Sequence, residues 1–180
     1  MKRAAMIAMI LVFGICCVGH AAGKMGAEKK VEQKIERKAE QKVAAKAAAT
    51  REECVAKTRE AAEMIRKEGV ETAIAELRNE KGRFVWKDSY VFLMTLEGRM
   101  LAHPMDPGLT EEPSVLSLTD GNLENPKPMF REFVKVALDN GEGWVDYVWP
   151  RPGEDMPVLK ETHIYRVPGK NLILGAGIYN

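Results

Sequence analysis

An ammonium group set among aromatic rings is the strongest chemical signal in this chain. Residues 141–152 read GEGWVDYVWPRP, which brings Trp144, Tyr147 and Trp149 close together, and Lys160 follows on the next apolar run. Tyr90 and Trp86 add two rings upstream, and His103 adds an imidazole. Small-molecule sites are mostly apolar, with a few polar groups that fix orientation, so this set reads as a binding pocket with aromatic walls and one cation. An ammonium on an apolar strand must either run its stem out to water or meet an anion. Catalytic signatures are missing from the sequence: there is no nucleophile elbow, no phosphate-binding glycine loop and no HExxH helix. Carboxylates are plentiful, but no two are marked out as an acid–base pair in a dry site. His103 precedes Pro104, Met105 and Asp106, which is a thin hint of a metal ligand. A strand-end imidazole bonded to backbone is the simpler reading, and neither a metal nor a cofactor is implied. The residues point to binding, not to an enzyme.

The elements that must position these groups can be read from spacing. Trp144–Trp149 alternates aromatic and β-branched residues between two glycines and two prolines, which makes a strand. Val145, Tyr147 and Trp149 then share one face and Trp144, Asp146 and Val148 the other, with nothing to say which face is the pocket. Two more strands follow, over residues 158–167 and 172–179, joined by Pro168-Gly169. Upstream, residues 90–96 and 100–103 make a hairpin around Glu97-Gly98. Residues 129–140 place Phe130, Phe133, Val134, Ala137 and Leu138 on one helical face, and Gly141 caps that helix. Between hairpin and helix, residues 104–128 hold five prolines and read as a long loop with a short turn near Val115. Short turns between neighbouring strands, with helices laid against them, give an antiparallel sheet of α+β class.

The N-terminal part is of another kind. Lys2 and Arg3, an apolar run over residues 4–18, and small residues at Gly19 and Ala21 form a cleavable signal peptide over residues 1–21, with a retained membrane anchor as the alternative. Its loss leaves 25 basic residues against 26 acidic, no basis for nucleic-acid binding. Cys16 and Cys17 go with it, and Cys54 remains as a lone thiol that fits a buried helix position. Residues 26–67 read as one long helix, rich in Ala, Glu, Lys and Gln. Its charged first half, within residues 22–49, is exposed or paired with a second copy as a homodimer. A short amphipathic helix over residues 70–80 follows Gly69.

The ordered series YVFLMTLEGRMLAHP, GWVDYVWP, LKETHIYRV and LILGAGIY resembles the single Cache domain of extracytoplasmic bacterial sensors, over residues 50–180. That resemblance implies a PAS-like antiparallel sheet with a long N-terminal helix and a second helix packed against it. It also implies a small organic acid or similar metabolite as ligand, held by Lys160, and a membrane-bound receptor or kinase as signalling partner. It suggests a free-standing periplasmic sensor, because no output segment follows in this sequence. One position departs from the family: its Lys-x-x-Tyr segment here reads Lys160-Glu161-Thr162-His163. The competing reading is a ligand-free structural module that assembles through its N-terminal helix. A buried Lys160 without a protein anion favours the sensor, and an exposed Lys160 the structural module.

Overall fold

The computed structural model describes residues 48–180. The signal segment and nearly all of the charged lead-in, with the assembly reading that rests on them, lie outside the described residues.

The first helix, α1 (Arg51–Glu68), starts at a capping box. Thr50 has extended backbone (φ −108°, ψ 160°), its hydroxyl accepts the Glu53 N–H, and the Glu53 carboxylate accepts the Thr50 N–H. Two donors that the helix itself leaves unpaired are satisfied in this way, an arrangement worth about 1 kcal/mol. One continuous helix through residues 26–67 is therefore corrected. The chain is not helical at Thr50, and the Thr-x-x-Glu signature at 50–53 is the feature that the propensity argument passed over. Gly69, at φ +91°, separates α1 from α2 (Val70–Leu77), which is shorter than its apolar pattern suggested.

Six strands form one antiparallel sheet: β1 (Val85–Trp86), β2 (Ser89–Thr95), β3 (Met100–Ala102), β4 (Glu142–Pro150), β5 (Pro157–Arg166) and β6 (Leu172–Tyr179). Their order is β1-β2-β6-β5-β4, with β3 on the same outer edge of β2 as β1. The last strand thus inserts between the first hairpin and the β4–β5 hairpin. Such a non-local pairing leaves no mark in the sequence, whereas the strands themselves do. β2 and β6 are buried on both faces, which is why VFLM and LILGAGIY read as continuous apolar runs.

Helices cover both sides of the sheet. On one face α1 and α2 bring Cys54, Ala61, Ile65, Ala73 and Leu77 against Val91, Leu93, Leu174 and Ala176. On the other, α3 (Met129–Asp139) packs Phe130, Phe133 and Ala137 against Phe92, Val145, Tyr147 and Ile173. Burying a large apolar side chain contributes about 1.5–3 kcal/mol, so these two layers dominate the stability. The proline-rich loop is laid down on the α3 side by two 3-10 turns (Pro107–Thr110 and Val115–Ser117), which bury Leu109 and Val115. Buried Asp120 ties the loop to the outer edge of β4: its carboxylate accepts the N–H groups of Lys127 and Val148, each at 2.9 Å.

Candidate ligand site

The centre of the site is a row of three side chains across adjacent strands. Tyr147 of β4 pairs with Lys160 of β5, and Lys160 pairs with Tyr179 of β6. Directly opposed residues in an antiparallel pair project from the same face, here the face under α3. On β2, Val91 pairs with Ala176, which sets Tyr90 alongside Gly177. A side chain at that glycine would fill the space: a Cβ there would stand 2.7 Å from Lys160 Cε and 2.5 Å from Thr162 Oγ1. Gly177 therefore leaves the gap through which the lysine stem reaches Tyr90.

Lys160 is 1% exposed. Its Nζ donates to Tyr90 Oη at 3.0 Å and lies 4.1 Å from the Tyr90 ring centroid and 4.6 Å from that of Tyr179. The stem does not snorkel to water. Among the described residues no carboxylate comes within salt-bridge distance of Nζ. Burial pushes the ammonium down to about 7, against weaker help from Asp88. That carboxylate is already engaged, accepting from Arg151 at 3.0 Å and from the Ala49 N–H at 2.7 Å. Cation–π contact offsets part of the desolvation of Nζ, but two neutral rings and a hydroxyl do not neutralise a charge.

The surrounding groups are neutral by construction. Burial raises Tyr90 and Tyr147 well above the ordinary phenol range. The Tyr147 hydroxyl is held by Thr162 Oγ1 at 2.9 Å, and Tyr179 Oη donates to the Pro150 carbonyl at 2.9 Å. His103 packs edge-on to Tyr90 and stacks on Phe92, with ring centroids at 4.8 and 5.9 Å. Its Nδ1 accepts the Asp106 N–H at 2.9 Å, the backbone bond expected of a strand-end imidazole. That bond fixes the neutral tautomer with hydrogen on Nε2. Burial, reinforced by the nearby lysine, pushes His103 down to about 3. Trp149 closes the group, 6.1 Å from Tyr147 and 6.5 Å from His103 between ring centroids.

Outside Tyr90 and Trp149 opens a cleft of about 340 Å³, lined also by Met105, Asp106 and the β4–β5 turn at Arg151, Glu154 and Asp155. Tyr90 is the shared wall: it lines the cleft and its hydroxyl accepts from the buried Lys160 Nζ.

Of the residues singled out from sequence, the structure gathers Lys160, Tyr90, Tyr147, Trp149 and His103. Trp144 and Trp86 go elsewhere. Trp144 opposes His163 on the α1 face, where the Arg51 guanidinium sits 3.9 Å over its ring. Trp86 packs against the α1–α2 core, with a buried Nε1 that has no hydrogen-bond partner. Strand alternation puts Trp144 opposite to Tyr147, and β1 turns Trp86 away from its neighbour Val85 in the same manner. Alternation alone does not choose between the faces. Tyr179 and Gly177 complete the cluster without a sequence signal of their own. Both belong to the alternate positions of LILGAGIY, but only the β5–β6 register brings them to Lys160.

A sheet with helices on both faces carries, on the α3 side, a buried lysine among aromatic rings, which frames a candidate ligand site. The chain belongs to the family described as Single Cache domain 2, whose model matches residues 29–180. Cache domains are extracytoplasmic ligand-binding signalling domains. The match begins inside the lead-in segment, ahead of the capping box at Thr50. Over 93 residues the chain is 32% identical to the methyl-accepting chemotaxis protein McpP of Pseudomonas putida, covering 51% of this chain and 16% of that relative. The chain thus spans a small part of the relative's length. Two solved structures share the fold with a TM-score of 0.56. One is a periplasmic sensor domain of a chemotaxis protein (24% identity, 87% of this chain and 99% of that one). The other is a Cache chemosensory domain studied for carboxylic acid recognition (20% identity, 88% and 99%). A methyl-accepting chemotaxis protein from Vibrio parahaemolyticus is also similar, at TM-score 0.54 and 17% identity over 86% of this chain and 94% of that one. No helix among the described residues is long and apolar enough to cross a membrane.

Proposed function

We propose that this chain is a periplasmic sensor module that takes a small organic acid onto Lys160 and reports it to a membrane-bound receptor or kinase. The observation that carries the reading is a fully buried ammonium whose protein partners are all neutral. Such a group is costly in isolation and is matched by one carboxylate entering from the cleft. Tyr90, which holds Nζ and lines the cleft, would move aside or close over the ligand together with Trp149 of the same cleft wall. His103, a neutral donor through Nε2, would take an uncharged ligand oxygen, and Tyr147 and Tyr179 would form the walls. The carboxylic acid recognised by one structural neighbour supports the same ligand class. A charge-assisted hydrogen bond is worth about 1.5–3 kcal/mol, so Lys160→Met should weaken binding about ten- to a hundredfold.

The test is calorimetry and thermal shift of the protein with acetate, lactate, succinate and glutamate, for wild type and Lys160→Met. Ligand at about a hundred times its dissociation constant should raise stability by about 2.7 kcal/mol in the wild type. Equal binding by Lys160→Met would sink the proposal.

A further inference from the structure

The same site has a consequence for what the sensor measures, and this inference rests on the carboxylate reading just given. We propose that the acid is bound together with a proton, so that the module responds to the product of anion and proton concentrations and not to the anion alone. Charge around Nζ is set by every element packed there, and α3, which covers this face, brings only the apolar Met129, Phe130, Phe133 and Ala137 to it. From β2 comes Tyr90, from β4 Tyr147 and from β6 Tyr179, all phenols that burial keeps protonated. After β3 comes His103, held neutral by burial and by the Asp106 N–H on its Nδ1. From α1 the nearest titratable group is Cys54, fully buried, whose thiol burial pushes up to about 11. From the β1–β2 turn comes Asp88, whose charge is committed to Arg151. The cleft rim adds Asp106, Glu154, Asp155 and Arg151, on the solvent side of Tyr90.

Among the described residues no carboxylate pairs with Nζ, so burial favours the neutral amine against only weak attraction from Asp88. Burial places the exchange of that proton at about 7. A bound carboxylate supplies the missing anion and restores the ammonium. At a pH above that midpoint the ligand arrives ionised, Nζ is an amine, and the proton that completes the pair is drawn from solvent. At a pH below it the proton is already in place. Acidification by the same acids that the module binds would then add to its response, which is a useful property in a compartment whose pH follows the surroundings.

The experiment is titration calorimetry of the full protein with the acid that binds best among acetate, lactate, succinate and glutamate. It is run at pH 5.5, 7 and 8.5 in pairs of buffers that differ in ionisation enthalpy. The expected result is proton uptake near zero at pH 5.5, rising towards one per site at pH 8.5. Affinity is expected to fall about tenfold per pH unit across the upper part of that range. If wild type binds, Lys160→Met does not, and uptake is zero throughout with flat affinity, the proton inference is overturned while the carboxylate site stands. Uptake that persists in Lys160→Met assigns the proton to another group and also overturns it. If Lys160→Met binds as tightly as wild type, or no acid binds, both proposals fall. Lys160→Arg, which stays charged at every pH, is a further check: where it folds, its binding should lose the pH dependence.

Discussion

Lys160 and His163, separated on β5 only by Glu161 and Thr162, face opposite sides of the sheet. The lysine reaches Tyr90 under α3, and the imidazole lies against α1, its Nδ1 3.0 Å from Thr58 Oγ1 and its Nε2 3.5 Å from Glu142. The position at which this chain departs from the Lys-x-x-Tyr pattern therefore lies on the sheet face opposite Lys160. It belongs to the contact between β5 and the first helix, with Trp144 packed at 5.3 Å.

The first prediction follows from that separation. Thr58→Val keeps the shape and removes the hydroxyl, leaving a buried imidazole nitrogen without its partner. Leaving one such group unpaired costs about 1–3 kcal/mol. Chemical denaturation should show that loss, while calorimetry shows ligand affinity changed less than about threefold, an allowance under 1 kcal/mol. A large drop in affinity would mean that the two faces are coupled.

The pH dependence of the unliganded protein gives a second prediction. Lys160 has a folded midpoint near 7, below its unfolded value, so between those values the unfolded chain holds a proton that the native protein has lost. Stability must then rise with pH from about 7 upwards, by at most about 1.4 kcal/mol per unit for this one group. Below that, both states are charged and the native state carries the full cost of the buried ammonium. Lys160→Met should remove the rise and melt higher than wild type at pH 6 without ligand. A variant less stable than wild type at pH 6 would show that the ammonium is better compensated than its neighbours suggest.

His103 acts in a lower window. Its folded midpoint of about 3 lies below the unfolded value, so the native state excludes a proton that the unfolded chain takes up. Stability is complete above the unfolded midpoint and is lost as pH falls below about 6.5, again by at most about 1.4 kcal/mol per unit. Proton NMR of the imidazole should show His103 not titrating between pH 5 and 8, and His103→Phe should flatten the acid limb of the stability curve. His163, also lowered by burial but opposed by Glu142, slopes the same way and serves as the internal comparison.

Much of this was legible in the chain, for definite reasons. The hairpins, the capped helix at Met129 and the aromatic strand all follow from local periodicity, and local periodicity is what a sequence displays. Lys160 stood out because a charge on an apolar strand is an anomaly that has few physical explanations. What stayed hidden was register. Tyr179 and Gly177 acquire meaning only when β6 is paired with β5, and Trp144 and Trp86 lose their place in the site only when the sheet's two faces are told apart. The break at Thr50 was readable as Thr-x-x-Glu, but a long run of strong helix formers on both sides masked it.

Export supplies a prediction that concerns the first residues. Cleavage after Ala21 should give a mature protein that begins at Ala22, as argued from Lys2-Arg3, the apolar run 4–18 and the small residues at Gly19 and Ala21. Intact mass measured on an osmotic-shock fraction decides it. A membrane-fraction product that retains Met1 would identify an anchor instead.

The last prediction concerns Gly177, whose missing side chain shapes the site. A Cβ at this position would stand 2.5 Å from Thr162 Oγ1, 2.7 Å from the Glu161 carbonyl and 2.7 Å from Lys160 Cε. The lysine stem is flexible and could swing, but the Glu161 carbonyl is backbone of the neighbouring strand and cannot move without opening the β5–β6 ladder. Thr162 is equally constrained, because it holds the Tyr147 hydroxyl. Gly177→Ala should thus overpack the site at a cost of about 1–3 kcal/mol. Unlike Thr58→Val it should reduce affinity more than tenfold, since it displaces Nζ from Tyr90, the residue that links it to the cleft. The pairing of the two variants is informative: similar destabilisation with affinity lost only in Gly177→Ala would locate recognition on the α3 face. If Gly177→Ala is destabilised yet binds the acid as the wild type does, the placing of Lys160 Nζ against Tyr90 is not what holds the ligand.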